Sequence, residues 1–413
     1  MYTDIAVIGG GASGYAAAIA AKEKCPGASV TIYDRLPKTG RKIIASGNGK
    51  CNLSNVDITA ENYHGSFDVM EIIGKTPDCR EFFTEKLGVM LSVGNEGRTG
   101  GIYPRSNSSA TVLNALRIKT AELGIAEVCD CQVTGVSIVK NGFTLETTIG
   151  KISAARVIAA AGGYAGPSFG TDGSFLRILK DMGYKTAKIC PAVGPLRVSS
   201  DKLKGLKGVR IKGSVSAISE NKVLRTESGE IQFNENTISG ICVFNLAYLF
   251  QQYEGKLSLS ADLLPELSEK EVADILFTAR RNRKDLPAYE MLTGIFVKNL
   301  AVYLIKNILG HSPEDKAENI DGREIKQLAS AVKGLVFPIT GCAAWQNAQV
   351  TCGGILRSCV DDKLCSLTHK GLYFCGEILD VAGDCGGYNL QWAWSSGIWA
   401  GWNCAKSLKG GKK

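Results

Sequence analysis

The sequence is poor in the residues that bind metals and build redox pairs. It has 3 histidines in 413 residues, and its 14 cysteines include no Cys-x-x-Cys pair. Neither a zinc constellation nor a dithiol of the disulfide-reductase kind is therefore written in it. No apolar run reaches the length of a membrane span. The N-terminus has no basic segment followed by an apolar stretch and a cleavage site, and its apolar opening reads as part of the fold. These absences lead to the expectation of a cytoplasmic protein with reduced, mostly buried thiols, no metal and no membrane partner. Net charge is +8, and basic residues gather only in short clusters at Lys202–Lys212, Arg280–Lys284 and Lys409–Lys413. Without an interleaved aromatic stripe, these read as solvated surface, and no nucleic-acid partner is expected.

Glycine is abundant, with 48 residues, and two glycine-rich segments stand near the two ends of the chain. Tyr2–Ile8 reads as a buried parallel strand leading into Gly9-Gly10-Gly11-Ala12-Ser13-Gly14. An alanine-rich helix follows, Ala12 to about Lys24. In such a unit the first glycine turns the chain, Gly11 lets main chain approach a pyrophosphate, and Gly14 lets the helix pack on the strand. The N–H groups of the helix tip can then meet phosphate. A second strand, Ser29–Tyr33, ends at Asp34 and Arg35, with Asp34 at about the twenty-residue spacing expected of a ribose-binding acid.

The stretch Gly40–Asn55 mixes glycine with short polar side chains and has no sustained period. It reads as a ligand-wrapping loop with short helical pieces. Helical patterns cover 66–89 and 108–124, and strands are expected over 128–139, 143–148 and 151–158. Cys129 and Cys131 should alternate along one such strand. Val157–Ala161 should end in a close main-chain approach at Gly162-Gly163. From Val193 to about Ser260 the alternation, with separate runs at Lys222–Thr226 and Glu230–Phe233 bounded by polar turns, suggests a small antiparallel barrel or sandwich, and Leu264 to about Leu335 reads as largely helical. The sequence then returns to glycine: a strand into Gly353-Gly354, a buried strand Gly371–Phe374 ending at Gly376-Glu377, and Asp384 before Gly386-Gly387-Tyr388-Asn389-Leu390. These last residues open the final helix. Its tryptophans, spaced helically, read as core. A helix tip with free N–H groups at Tyr388–Leu390 would suit the end of a flavin where negative charge accumulates on reduction.

The combination Gly40-Arg41-Lys42…Ser46-Gly47-Asn48-Gly49-Lys50-Cys51-Asn52, Ala348–Gly354 and Gly371–Gly397 resembles the BaiN/RdsA-type bacterial NAD(P)/FAD-dependent oxidoreductases over nearly the whole chain. One departure lies at Asn48, where the family often has a third consecutive glycine. The resemblance implies an α/β fold: a Rossmann-type FAD-binding domain built from both chain ends (1–190 and 337–413), an inserted β-barrel-like domain (191–262 and 325–336) and a helical subdomain (263–324). It implies that Gly9, Gly11, Ala12, Ser13, Gly14, Asp34 and Arg35 meet the FAD pyrophosphate and ribose. Arg41, Ser46, Gly47, Cys51 and Asn52 would belong to the loop around the flavin. Val133 would flank the adenine, with Ala161 and Gly162 close to the dinucleotide. Gly376, Glu377 and Asp384 would lie by the ribityl and pyrophosphate groups, and Gly387, Tyr388, Asn389 and Leu390 by the pyrimidine ring. Cys51 reads as a packing residue rather than a nucleophile.

The expected activity is hydride transfer between FAD and a small or medium organic substrate. NAD(P)H is the candidate donor, although no second strand–GxGxxG–helix unit would hold it separately. Tyr103 is the candidate proton donor, and Arg105 the candidate for polarising a carbonyl or holding a carboxylate. An oxygen-dependent amine oxidase, a non-catalytic flavin-binding protein and an RNA-modifying flavoprotein remain as alternatives.

Overall fold

The computed structural model describes residues 1–94, 100–253 and 256–409. All but the first residue of the basic tail Lys409–Lys413 therefore lie outside the described residues. The chain divides into two compact units, Met1–Pro191 with Trp345–Lys413, and Ala192–Ala344.

The first unit is built on a parallel sheet whose neighbours run Ala126–Val128, Val30–Tyr33, Tyr2–Ile8, Gly150–Ala159 and Leu372–Phe374. The first half of Gly150–Ala159 also pairs antiparallel with Gly142–Thr147, which pairs in turn with Val133–Val139. Ile5, Ala6 and Val7 are fully buried, as a strand covered on both faces requires. The helix Ala12–Lys24 buries an unbroken run from Ser13 to Ala21. It lies against the last helix, Tyr388–Lys409, at close range. A Cβ on Gly397 would stand 2.5 Å from the Ser13 carbonyl oxygen, and one on Gly401 2.3 Å from that of Ala17. Trp392 and Trp394 are buried beside this contact, and among the described residues no helix is long and apolar enough to cross a membrane.

The second unit contains a closed six-stranded barrel, in the order Leu196–Val198, Thr237–Ser239, Lys222–Phe233, Arg210–Ser219, Leu257–Asp262 and Leu335–Cys342. Alternate residues such as Val215, Ala217, Leu257, Leu259, Ala261, Phe337 and Ile339 fill its core. The helices Glu269–Asn282 and Gly322–Lys333 pack on each other. Each begins with a reciprocal cap, Ser268 with Glu271 and Asp321 with Glu324.

The structure departs from the sequence reading in four places. Residues 66–89 form two short helical pieces, Val69–Ile73 and one starting at Cys79, because Pro77 cannot continue a helix. Cys129 and Cys131 fall between strands, with the chain turning at Asp130 where φ is 51°. Lys222–Phe233 is one strand rather than two. The return from the inserted unit falls at Ala344/Trp345 rather than 336/337, since Leu335–Cys342 is a single strand that closes the barrel against Leu196–Val198.

The helix crossing yields a stability test. Gly401→Val should destabilise the chain by about 3 kcal/mol, the cost of overpacking a close contact, whereas Gly27→Ala, whose Cβ would meet nothing within 4 Å, should be near neutral. Thermal melting of the two variants checks the difference.

Candidate functional site

The site starts where the first strand ends. Gly9 has φ of 102°, and a Cβ there would lie 2.6 Å from the Ala160 carbonyl oxygen, so the turn packs directly on the end of Gly150–Ala159. The Gly10 N–H donates to Asp34 Oδ2 at 2.7 Å and the Leu36 N–H to Oδ1 at 2.8 Å. Each carboxylate oxygen keeps a further lone pair. Gly11 caps the first helix in an extended conformation, with no side-chain cap and no acid in the first turn. The first intrahelical bond runs from the Tyr15 N–H to the Gly11 carbonyl at 3.0 Å. The N–H groups of Ala12, Ser13 and Gly14 therefore have no helical acceptor, and the tip carries a partial positive charge. A Cβ on Gly11 would meet nothing within 4 Å, while one on Gly14 would stand 1.9 Å from the Gly9 carbonyl oxygen. The first position is open space and the second is closed packing.

The loop after the second strand coils tightly. Gly47, Asn48, Gly49 and Cys51 all have positive φ, from 54° to 82°. Asn48 occupies a left-handed position of the kind that asparagine tolerates better than most residues. The Ser46 hydroxyl donates to the Ile43 carbonyl at 2.7 Å. Burial pushes the Cys51 thiol up to about 11, so at neutral pH it is a protonated packing group. Next to it, Asn52 is 6% exposed, and neither its Nδ2 nor its Oδ1 has a hydrogen-bond partner. A Cβ on Gly387 would lie 2.9 Å from Asn52 Oδ1, and one on Gly101 3.1 Å from Nδ2. The amide thus sits between two glycines that leave room for it.

The C-terminal segment meets both regions. Gly376, with φ of 75°, abuts Ser13, whose Oγ would be 2.4 Å from a Cβ there. Its N–H donates to Ser396 Oγ at 2.9 Å, and its carbonyl accepts from Trp392 Nε1 at 3.2 Å. Glu377 Oε2 pairs with Lys42 Nζ at 2.7 Å, and its Oε1 accepts the Thr351 N–H at 3.0 Å. The Thr351 hydroxyl oxygen accepts the N–H groups of Tyr164 and Ala165 at 2.8 and 3.0 Å, just after Ala161 and Gly162. Three distant segments are locked by one acid and one hydroxyl. The Asn389 side chain is doubly bonded to the Gly383 main chain, at 2.7 Å for each bond. Gln391 N–H makes the first bond of the last helix, to the Gly387 carbonyl at 2.9 Å, which leaves the Tyr388, Asn389 and Leu390 amides without an acceptor inside the helix.

A family model described as "HI0933-like protein Rossmann domain" matches residues 3–403. The chain belongs to the HI0933-like family. A relative from Clostridium scindens, a 3-dehydro-bile acid delta(4,6)-reductase, is 35% identical over 96% of this chain and 98% of its own length. A ribosomal RNA dihydrouridine synthase from Haemophilus influenzae is 26% identical over 98% of each chain. The 3-ketosteroid delta1-dehydrogenase from Sterolibacterium denitrificans shares the fold at a TM-score of 0.53 and 13% identity, covering 98% of this chain and 100% of that one. Membership in the HI0933-like family, with a reductase at this level of identity, makes the chain a flavoprotein oxidoreductase.

Within this HI0933-like chain the structure gathers the first-helix tip, Gly376, Ser46–Asn52 and Gly387–Leu390 in one unit. Tyr103 is half-buried on the strand Gly101–Pro104, which pairs with Ser54–Asn55 just beyond Asn52. A Cβ on Gly101 would stand 2.9 Å from the Tyr103 ring. Other predicted residues are paired within the protein or exposed to solvent. Arg35 pairs with Asp172, and Arg41 and Arg105 are exposed. Asp384 Oδ1 lies 2.9 Å from His64 Nε2. Val133 begins a strand two residues after Cys131, whose N–H donates to the Asp34 carbonyl at 2.9 Å. Thr351, Lys42 and His64 escaped sequence reasoning, because their partners lie outside their own segments, 335 and 320 residues away for Lys42 and His64 and 26 and 187 residues away for Thr351, and no local motif marks them.

The contrast between the two glycines is testable. With wild type and variants all freed of flavin, so that ligand stabilisation does not enter, Gly11→Val should leave the melting temperature within a few degrees of wild type, and Gly14→Val should lower it by about 10 °C or more, or abolish folding. Circular dichroism melts decide it.

Proposed function

We propose that the unit formed from both chain ends holds FAD and that the protein reduces a carbon–carbon double bond conjugated to a carbonyl, with NAD(P)H as electron donor. The observation that carries this reading is the buried, unpartnered Asn52 amide beside the tip of the last helix, complemented by the uncapped tip of the first. Burying such an amide unpaired costs on the order of 1–3 kcal/mol for each unsatisfied group, a cost that a bound ligand would remove. In this reading, Gly9, Gly11, Ala12, Ser13 and Gly14 cradle the pyrophosphate, and Asp34 offers its remaining lone pairs to the ribose. Arg35, Val133, Ala161 and Gly162 border the adenosine half, and Arg41, Ser46, Gly47 and Cys51 wrap the ring system. Gly376, Glu377 and Asp384 flank the ribityl chain, Glu377 and Asp384 holding the segment in place through Lys42, Thr351 and His64. Gly387, Tyr388, Asn389 and Leu390 meet the pyrimidine end through main-chain N–H groups.

FAD, when bound, supplies the two-electron chemistry. The protein's part is to position it, and the amides of Tyr388–Leu390 favour the negative charge that reduction brings to that end. Tyr103 donates a proton to the carbon next to the substrate carbonyl, while Arg105 polarises that carbonyl. The bile-acid reductase relative supports the enone as substrate class. A second reading follows from the relative named for ribosomal RNA: the C5–C6 double bond of uracil is also conjugated to a carbonyl, so the same hydride and proton delivery would serve it.

The purified protein should be yellow, and NADH or NADPH should bleach it without oxygen. A cyclic enone should restore the colour. Peroxide production from amines without a response to NAD(P)H would favour an oxidase instead, and restoration by an RNA transcript but not by enones would favour the second reading. Gly11→Val should purify colourless. Tyr103→Phe should keep FAD and its reduction by NAD(P)H but slow reoxidation by the enone about 100-fold or more, as measured by stopped-flow absorbance.

A further inference from the structure

We propose that the Asn52 carboxamide reads the imide edge of the flavin ring, its Oδ1 accepting the N3–H and its Nδ2 donating to a neighbouring ring carbonyl. This rests on the reading that FAD binds here. The argument starts from chemistry that the side chain lacks. Asn52 is 6% exposed, and both its donor and its acceptor are unpartnered. A ligand group that completes it must offer an acceptor and a donor side by side. The pyrophosphate bridge of a dinucleotide offers only acceptors at neutral pH and would leave Oδ1 orphaned. A single hydroxyl has one proton and cannot serve both atoms in line. A C(=O)–NH–C(=O) edge matches the carboxamide in either orientation, because the N–H has a carbonyl on each side.

Location selects which part of a dinucleotide presents that edge. Adenine also carries a donor beside an acceptor, but the adenosine half belongs with the Asp34 end of the cradle. Asn52 stands instead against Gly387, where a Cβ would come within 2.9 Å of its Oδ1, immediately before the N-terminal turn of the last helix. It is also held there. Gly47, with φ of 56°, brings the loop so close that a Cβ would lie 2.8 Å from the Asn52 amide nitrogen. Beyond Asn52, the Ser54 hydroxyl donates to Gln391 Oε1 at 2.6 Å and Asn55 Nδ2 donates to the Gly386 carbonyl at 3.0 Å. The polar side chains of Ser54 and Asn55 thus anchor the loop to the last helix and to the glycine pair just before it, while the polar atoms of Asn52 have no partner. Among the described residues, the other buried side-chain atom without a partner is Arg280 Nε, which belongs to the inserted unit.

The test compares FAD with N3-methyl-FAD, in which the imide proton is replaced. Wild-type protein freed of flavin should bind the methylated cofactor at least about tenfold more weakly than FAD. Asn52→Leu should bind FAD about tenfold more weakly than wild type and bind the two cofactors within about twofold of each other. Flavin fluorescence quenching gives both constants. Wild type that binds the two cofactors alike overturns the assignment while leaving FAD binding intact, and this comparison needs no variant. Discrimination that persists in Asn52→Leu overturns it as well. A wild-type chain that takes up neither cofactor overturns the underlying reading together with this one. Asn52→Asp adds a readout that packing alone would not move: a carboxylate at this edge should lower the flavin midpoint potential.

Discussion

The contact on which the site depends is the crossing of the first and last helices. They can approach only because Gly397 and Gly401 face the main chain of Ser13 and Ala17 with no side chain between. Once they are that close, Gly376 reaches Ser13, and its main chain is fixed by Ser396 and Trp392 of the last helix. The close packing does what a covalent link would do elsewhere. It brings residues from opposite ends of the sequence to one helix tip and leaves no soft layer through which they could shift.

Around that crossing, positive φ and main-chain hydrogen bonds shape the site more than reactive side chains do. Gly9, Gly47, Gly376 and Gly387 all adopt left-handed angles, and a Cβ at each would strike main chain or a packed side chain. The polar side chains nearby are mostly structural. Thr351 orders the turn after Ala161-Gly162, Asn389 braces Gly383, and Asp34 ties Gly10 to Leu36. Asn52 stands out against this background because its amide braces nothing in the protein.

Much of this arrangement was legible in the sequence, and the reasons are local. The strand Tyr2–Ile8 and the helix Ala12–Lys24 announce themselves by an apolar run, glycine spacing and alanine content. The barrel strands show as alternation, although the turn expected between Thr226 and Glu230 does not exist, since polar residues there face outward along one continuous strand. The bend at Pro77 was in plain view yet lost within a helical period. What sequence could not supply is partnership at long range. The Lys42–Glu377 pair spans 335 residues and the His64–Asp384 pair 320, and nothing in either local stretch specifies the other. The unpartnered state of Asn52 is a property of its three-dimensional surroundings, so a motif could place the residue in the loop but not tell what its amide lacks.

These long-range pairs also bear on the charge around the C-terminal glycines. Three carboxyl groups stand close to the C-terminal glycines, enough to oppose an anionic ligand if all were unpaired. Glu377 is matched by Lys42, Asp384 is hydrogen-bonded to His64, and burial pushes the Asp380 carboxyl up, towards its neutral form. With the acids satisfied or muted, those three groups do not cancel the partial positive charges at the tips of the helices that begin at Ala12 and Tyr388. Main-chain dipoles held by packing need no reorganisation when charge arrives. One tip suits a charge that is permanent, as on a pyrophosphate, and the other suits a charge that appears on reduction. A single close helix crossing therefore fixes where both helix tips, and the partial charges they carry, lie relative to the glycine turns.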